Sequence, residues 1–532
     1  MRKLSYPGRS NVLAQNGMVA TSNPLSSMVA INVLQKGGNA VDAAIAASAV
    51  QAVVCPSATG IGGDCFAIIS MNGKKPIAVN GSGIAPKRAN LQFYKDNKIK
   101  NIGLTSPHSV TIPGAVHAWC SMHEKFGRID FNEVLNGAEN FARKGFPVHE
   151  VEAIAWKENE KKLKKNSNSK RLFLNENLSY SYGEVFKNIP LANTLRIISK
   201  NKIKGFYQSE ITKDMVKTLN KLGGLHTEED FYNQKTLFSK TITNSYRNLK
   251  IHQCPLNSPG LVVLMMMAMT EKLNIKKYHP SSFERYHLQA EISKICFEVK
   301  ETIFGDPNFN NINIKDYLSN EYISSLCSRI NKNKIYSSKK GYVTSHPETI
   351  YLSVVDRDLN SVSFINSICH SFGSGITSNK SGILFQNRGV NFRLEEGHPN
   401  SIDSYKRPLH TIIPGLITNK NDETLYSYGV MGGQYQPIGQ SHLIQNIIDY
   451  NMTVQEGLDL PRAFALNGIL NVENSLDNKI VKKLRNIGYK IKINKNAIGG
   501  GQCIKINMQE PVLMWEVIVL ITINIFILER GV

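Results

Sequence analysis

The sequence predicts an α+β fold in which sheets are covered by helices. Residues from about 130 to 340 follow mostly helical patterns, whereas strand patterns begin abruptly near residue 349 and continue, with Gly-rich loops, to about 433. The chain has 532 residues, of which 42% are hydrophobic and 20% are charged, so it can bury a large core and is not disordered overall. This length allows two to four domains, or one large sandwich enlarged by insertions.

The first predicted elements are two helices and a strand. A helix start at residues 22–24 precedes an apolar run that ends at Gly37. A second helix begins after Asn39, and its Ala-rich body is apolar on nearly every side, which indicates close packing on both flanks. A Gly turn at residues 59–64 then leads into a buried strand at 65–71.

The later elements include a long helix and a hairpin. Residues 281–304 form an amphipathic pattern that predicts a helix. Residues 349–364 alternate as strand, tight turn and strand, which predicts a β-hairpin. Asp356 and Asp358 lie at its turn, and we expect both carboxylates to be solvated.

The formal net charge of +21 is not carried by a basic stripe. The densest run, residues 157–171, also contains Glu, Asn and Ser and has no aromatic residue that could stack on a base. This run is therefore expected to be a solvated loop or helix face. We expect no nucleic-acid partner.

The cysteines and the two ends of the chain complete the compositional picture. Eight cysteines without a CxxC pair are expected to be mostly free, buried thiols, and no metal or organic cofactor is expected. The first 24 residues lack an apolar signal region, so we expect a cytoplasmic protein. The apolar segment 512–528 contains Glu516 and Asn524 and is barely long enough to cross a bilayer, so a buried strand or an aggregating tail is favoured over membrane insertion.

Common catalytic motifs are absent from the sequence. It contains no GxSxG, P-loop or HExxH pattern. His108, His117 and His123 do not repeat a metal-binding spacing, and core or surface positions are favoured for them. The residues alone therefore predict an α+β protein with Gly-rich loops and no assigned chemistry.

Three blocks, in order along the chain, resemble the γ-glutamyltranspeptidase family of N-terminal-nucleophile hydrolases. Residues 18–69 resemble the opening of that family, residues 349–414 the start of its small subunit, and YGVMGGQYQPIGQ at 428–440 its glycine pair. The resemblance extends from about residue 10 to 505. It implies a four-layer αββα sandwich.

The resemblance also implies a precursor that cleaves itself. The scissile bond aligns with Glu348 and Thr349, which would give a large chain, 1–348, and a small chain, 349–532. The freed Thr349 would supply its Oγ as the nucleophile, and its own α-amine, with a pKa of about 7.7 to 8.0 in model compounds, would accept the proton. A separate catalytic His is then unnecessary, which accounts for the missing triad.

Three further positions are assigned to the reaction by the resemblance. Ser367 aligns with a Thr whose hydroxyl lies beside the nucleophile, which implies that Ser367 orients Thr349; a solvent-facing strand serine is the alternative. Gly432 and Gly433 align with glycines whose N–H groups face the developing oxyanion, and loss of one such donor would cost about 2.7 to 4 kcal/mol of barrier. A simple turn is the alternative there.

The substrate-binding positions depart from the family pattern. The motif that carries an Arg for the substrate α-carboxylate reads GSGIAP at 81–86, without Arg. A Ser pair that also grips this carboxylate aligns with His410 and Thr411. The acidic residue that holds the α-ammonium aligns with Asn391, and a neutral amide cannot pair with a cation as a carboxylate does.

Two other pocket positions of the family, an Asn and a Gln, align with Cys369 and Arg388. Arg388 is a candidate replacement for the anion clamp because its planar guanidinium suits a carboxylate, with a surface arginine as the alternative. The strings QNRG, GHPN and KRPLHT resemble a divergent branch of the family that includes oxamate amidohydrolase and acylase-like members.

The implied reaction is acyl transfer from an amide to water or an amine through an acyl-enzyme on Thr349. The donor implied first is a γ-glutamyl amide such as glutathione. One alternative is an amidohydrolase of small carboxylated amides or an acylase, and another is an uncleaved pseudoenzyme that acts as a binding protein. After GGGQ at 499–502 the apolar tail replaces the usual family ending, so 506–532 is atypical, and a replaced terminus that impairs maturation is one hypothesis.

Overall fold

The computed structural model describes residues 11–310, 312–337, 349–507 and 515–520. Its strands are β1 (Gly17–Ala20), β2 (Asp64–Ser70), β3 (Ile77–Gly81), β4 (Phe146–Pro147), β5 (Leu174–Asn175), β6 (Leu178–Ser179), β7 (Val185–Phe186), β8 (Leu237–Lys240), β9 (Ile242–Tyr246), β10 (Leu249–Gln253), β11 (Ile350–Asp356), β12 (Ser361–Ser367), β13 (Gly415–Thr418), β14 (Thr424–Met431), β15 (Ala463–Leu466), β16 (Ile469–Glu473), β17 (Lys490–Asn494), β18 (Gly500–Ile506) and β19 (Trp515–Leu520).

The α-helices are α1 (Pro24–Gln35), α2 (Ala40–Val54), α3 (Leu91–Asp96), α4 (Ala115–Phe126), α5 (Phe131–Lys144), α6 (Glu150–Leu163), α7 (Ser167–Phe173), α8 (Ile189–Tyr207), α9 (Glu210–Lys221), α10 (Glu228–Tyr232), α11 (Gly260–Lys272), α12 (Phe283–Ile303), α13 (Ile314–Tyr317), α14 (Asn320–Cys327), α15 (Gln436–Ile444), α16 (Val454–Asp459) and α17 (Asn478–Asn486). Short 3-10 turns include Arg388–Asn391 and Gly433–Tyr435.

Two six-stranded antiparallel sheets form the centre of the molecule. The first has the order β1-β11-β12-β2-β3-β8, and the second has the order β19-β18-β14-β13-β10-β9. Both sheets combine strands from before and after residue 349. The two parts of the chain named in the sequence analysis are therefore interleaved in one core.

Helices cover the outer faces of both sheets. Phe66, Tyr351 and Leu416 belong to a buried cluster between the sheets. Side chains one residue along the same strands point the other way, so Ile350 packs in a cluster with the helices α2 and α5. On the second sheet, Ile417 packs with α11 and α15. The predicted four-layer αββα sandwich is confirmed.

The elements predicted from local patterns form close to their expected places. Helix α2 is completely buried and begins with a capping box, in which the Asn39 and Asp42 side chains bond to each other's backbone N–H groups. The predicted strand at 65–71 is β2, and the hairpin is formed by β11 and β12. All eight cysteines are buried, and none of them forms a disulfide, in agreement with the expectation of mostly free thiols.

One expectation at the hairpin turn is wrong. Asp356 is only 3% exposed, and its carboxylate accepts hydrogen bonds from the backbone N–H of Ala40 and from the Asn360 side chain, each at 2.9 Å. The end of β11 places this carboxylate at the N-terminus of α2, where unpaired N–H groups need an acceptor. Asp358 is partly exposed and pairs with Arg128, as a turn carboxylate should.

The structure also tests the expectations for the basic run at 157–171 and, in part, those for the apolar tail. The run covers the second half of α6 and most of α7. Lys157 is largely exposed and pairs with Glu160, as expected of a solvated helix face. In the tail, β19 pairs antiparallel with β18, and the other residues of the tail from 508 onward lie outside the described residues. Among the residues described, no helix combines the length and apolar character needed to cross a membrane.

Candidate active site

Strand register brings three polar side chains to one end of the first sheet. Ile350 pairs with Asn366, and Ser367 pairs with Asp64. Thr349 immediately precedes β11, so the same register places it opposite Ser367. The hydroxyl oxygens of these two residues lie 3.3 Å apart. Paired residues project from the same face of a sheet. Thr349, Ser367 and Asp64 therefore form a row across three neighbouring strands, which we call the polar row.

The polar row faces the space between the two sheets. Tyr351 and Ile365 lie two residues further along their strands from Thr349 and Ser367, and both belong to the cluster between the sheets. Thr349 is 2% exposed, and Ser367 is fully buried. The solvent-facing alternative for Ser367 is thus excluded, while Glu348, the other residue of the predicted scissile bond, lies outside the described residues.

Ser367 is held in place from its other side. The backbone N–H of Cys369 donates to Ser367 Oγ at 3.0 Å, which fixes this oxygen beside Thr349. The Cys369 thiol lies 3.4 Å from Nδ1 of His370, and burial lowers the pKa of that imidazole to about 4, so it is neutral near pH 7. Through its backbone, Cys369 supports the polar row.

Replacing the Ser367 hydroxyl provides a test of this contact. Ser367→Ala should lower kcat about three- to tenfold, because one neutral hydrogen bond contributes about 0.5 to 1.5 kcal/mol. Ser367→Thr, which keeps a hydroxyl at this position, is the matched control and should retain more activity than the Ala variant. Steady-state kinetics with an amide donor measure both, and equal rates for the two variants would contradict the orienting role.

Asp64, which the sequence analysis did not single out, organises the substrate side of the site. Its Oδ1 accepts from the Gly83 N–H at 2.6 Å and from the Gln386 side chain at 3.1 Å. Its Oδ2 lies 3.4 Å from Arg388 Nε and 3.6 Å from His410 Nε2. Burial raises the pKa of Asp64, and the Arg388 charge and the Gly83 N–H oppose that rise. Asp64 thereby connects the polar row to two predicted substrate-binding residues.

Arg388 is completely buried, so the surface-arginine alternative is wrong. Its Nη1 donates to Thr411 Oγ1 at 3.2 Å, and its Nη2 is buried with no hydrogen-bond partner in the described part of the chain. A guanidinium with one unused buried donor has a further hydrogen bond that it can donate to an anion. Because Asp64 already balances its charge, Arg388 supplies a directional donor rather than an excess of positive charge.

A small cavity, open to solvent at its mouth, lies next to this cluster. It is lined by Asn391, His410 and Thr411, three of the predicted substrate-binding residues. The Asn391 side-chain amide donates to the Leu409 carbonyl at 3.1 Å. Cys369 and Arg388 stand behind the cavity wall and are not among its lining residues.

The glycine pair reaches the same cavity from the second sheet. Gly432 and Gly433 follow β14 with φ angles of +126° and +57°, a backbone region that strongly favours glycine. A Cβ on Gly432 would stand 3.0 Å from the Gly499 Cα. Gln434, the next residue, lines the cavity. The pair does form a turn, as the alternative states, and that turn borders the candidate substrate space.

An arginine also reaches the GSGIAP segment that lacks one. Arg407, from the KRPLHT string, bonds through Nη1 to the Ser82 carbonyl and to Ser82 Oγ, and through Nη2 to the Lys235 carbonyl at 2.9 Å. These donors are directed at protein oxygens. Arg407 therefore stabilises the segment from behind.

Lys300 is another cavity residue that the sequence analysis missed. It lies in the last turn of α12, and its Nζ donates to Gln434 Oε1 at 2.8 Å. A signal was available, because Lys300 follows Ile292 and Cys296 at four-residue spacing on the apolar stripe of this helix. A lysine on such a stripe is unusual and indicates a specific partner.

A four-layer αββα sandwich is the fold of the N-terminal-nucleophile hydrolases, and here a buried threonine immediately precedes β11, an inner strand of the first sheet. The model of the family described as gamma-glutamyltranspeptidase matches residues 26–517. The chain belongs to this family and is an enzyme of its hydrolase and acyltransferase kind.

Individual relatives support the same placement. The chain is 31% identical over 492 residues to the glutathione hydrolase-like YwrD proenzyme of Bacillus subtilis, covering 91% of this chain and 92% of that one. It is 27% identical to the oxamate amidohydrolase proenzyme of Klebsiella pneumoniae, with 91% and 93% covered. The crystal structure of cephalosporin acylase from Bacillus halodurans has a TM-score of 0.90 and 32% identity, with 97% and 96% covered. The predicted resemblance to the divergent branch is confirmed.

Proposed function

We propose that the protein is a self-cleaving amide hydrolase or acyltransferase whose nucleophile is Thr349 and whose donors carry a carboxylate. The observation that carries this proposal is the polar row, in which Thr349 Oγ1 lies 3.3 Å from Ser367 Oγ inside the sandwich. Relatives named as proenzymes support a maturation step. Scission between Glu348 and Thr349 would place an α-amine next to the nucleophilic hydroxyl.

Each proton and bond in this reaction has an assigned place. The freed α-amine takes the proton of Thr349 Oγ as the oxygen attacks the carbonyl carbon of the donor. Backbone N–H groups of Gly432 and Gly433 face the oxyanion of the tetrahedral intermediate. The C–N bond then breaks, and the leaving amine departs with the proton held by the α-amine. Water or a second amine, deprotonated by the same α-amine, attacks the ester and restores Thr349.

Two donor classes fit these requirements. γ-Glutamyl amides such as glutathione are the first, in line with the glutathione hydrolase-like relative. Small carboxylated amides are the second. Two observations favour them: Asn391 is neutral where the family has an acid, and Arg388 stands behind the cavity wall with its Nη1 bonded to the lining residue Thr411 and its buried Nη2 unused. The oxamate amidohydrolase relative is named for a small carboxylated amide, which supports this second class.

The proposal is tested on the purified full chain with a denaturing gel and two assays. We expect two bands, for residues 1–348 and 349–532, and release of amine from γ-glutamyl p-nitroanilide or from oxamate. Turnover by an uncleaved chain would show that the nucleophile is not a freed Thr349. One band without turnover of either donor would instead support the uncleaved pseudoenzyme.

A further inference from the structure

The charged residues around the cavity leave an excess of positive charge. Lys300, Glu301 and Arg393 are the Lys, Arg, Asp and Glu residues among the described lining residues, which gives a net charge of +1. Glu301 bonds to Arg393 through one oxygen, and its other oxygen lies 3.5 Å from Lys300 Nζ. One carboxylate is thus shared by two cations. Behind the wall, Asp64 and Arg388 balance each other.

Lys300 is built into the cavity wall with little contact with solvent. Its side chain is 2% exposed, and its ammonium lies 4.7 Å from the centre of the Phe297 ring. Burial lowers the pKa of Lys300, and the carboxylate of Glu301 opposes that effect. A buried ammonium that shares its counter-ion with an arginine is stabilised by a second anion.

The cavity offers much less to a cationic group. A γ-glutamyl donor carries an ammonium and a carboxylate on the same carbon, so it needs partners for both. Asn391 presents a neutral amide rather than a carboxylate, and the carboxylate of Glu301, which also lines the cavity, is already paired. A desolvated ammonium without a carboxylate partner is costly.

We propose that Lys300 binds the free carboxylate of the amide donor, and that the cavity selects donors that carry this carboxylate without an adjacent ammonium. The proposal rests on the proposed function and narrows its donor class. It also gives the Lys300–Gln434 bond a role, because Gln434 directly follows the glycine pair. A donor carboxylate on Lys300 would be bound beside the turn that receives the oxyanion.

Three p-nitroanilides that share one leaving group test donor selection in the wild-type enzyme. Glutaryl p-nitroanilide carries the carboxylate alone, the γ-glutamyl compound adds the ammonium, and the butyryl compound has neither. We expect kcat/KM for the glutaryl donor to be at least about tenfold above that of each other donor, the effect of one charged hydrogen bond. A γ-glutamyl donor that equals or exceeds the glutaryl donor would overturn the selection.

Substitution of Lys300 tests the residue itself. Lys300→Met should lower kcat/KM for the glutaryl donor about ten- to hundredfold and leave the butyryl donor within about twofold. Lys300→Arg should recover part of the loss. Lys200→Met, at an exposed position on α8, is the control and should match the wild type. Equal losses on the glutaryl and butyryl donors would show that Lys300 only holds Gln434, which overturns carboxylate binding.

A competition experiment on the wild-type enzyme covers the case in which Lys300→Met does not fold. Glutarate should inhibit turnover at lower concentration than L-glutamate or butyrate, and equal inhibition by all three would refute the inference. Failure of the proposed function is distinguishable, because it would appear as no turnover of any of the three anilides.

Discussion

Thr349→Ala is expected to give a single uncleaved chain with no amidase activity. The substitution removes the hydroxyl that, in the proposed function, attacks both the scissile peptide and the amide donor. Ser367 Oγ, 3.3 Å from the missing oxygen, stays in the strand and carries no α-amine to accept its proton. A denaturing gel and intact-mass spectrometry measure the cleavage, and amine release measures the turnover.

Two further variants make the Thr349 result specific. Thr349→Ser keeps a hydroxyl on the same backbone and should still cleave and turn over donor, although more slowly. Thr302→Ala, at an exposed threonine of α12, should behave as the wild type. Cleavage into two chains in Thr349→Ala would show that the attack comes from another side chain, and the polar row would then lose its assigned role.

Asp64→Ala is expected to lower the free energy of unfolding by about 3 to 5 kcal/mol, the cost of stranding a buried charge. Asp64 and Arg388 are both fully buried, and the carboxylate also accepts from Gly83 and Gln386. Asp358→Ala is the matched control, because it breaks an exposed Asp–Arg pair with Arg128 at 2.9 Å and should cost about 0 to 1 kcal/mol. Denaturant unfolding of the mature enzyme measures both.

A double substitution separates the stranded charge from other effects of losing Asp64. Asp64→Leu combined with Arg388→Met removes both charges and should regain a large part of the stability lost by Asp64→Ala. Activity should stay low in the double variant, because the hydrogen bond from Arg388 to Thr411 is also lost. Equal costs for Asp64→Ala and Asp358→Ala would contradict the assignment of Asp64 as the counter-charge of Arg388.

Local chemistry determined much of the architecture. The capped helix α2, the amphipathic helix α12 and the hairpin of β11 and β12 each follow from patterns within one stretch of sequence. Strand alternation and helical periodicity involve only residues that are close in sequence. Both patterns can therefore be recognised directly in the sequence. The order of the blocks around Thr349 and Gly432 also sufficed to indicate the family and its class of reaction.

Only the tertiary structure decided how the site is assembled. Asp64 meets Arg388 across 324 positions of sequence, and Lys300 meets Gln434 across 134. Asp356 is buried because the end of β11 lies over the start of α2, which no turn pattern indicates. Such pairings depend on strand register and on how helices pack over sheets, and these are set by the whole core at once. The sequence by itself therefore determined the helices and strands and the family to which the chain belongs. Packing alone decided which charged side chains surround the space for the amide donor.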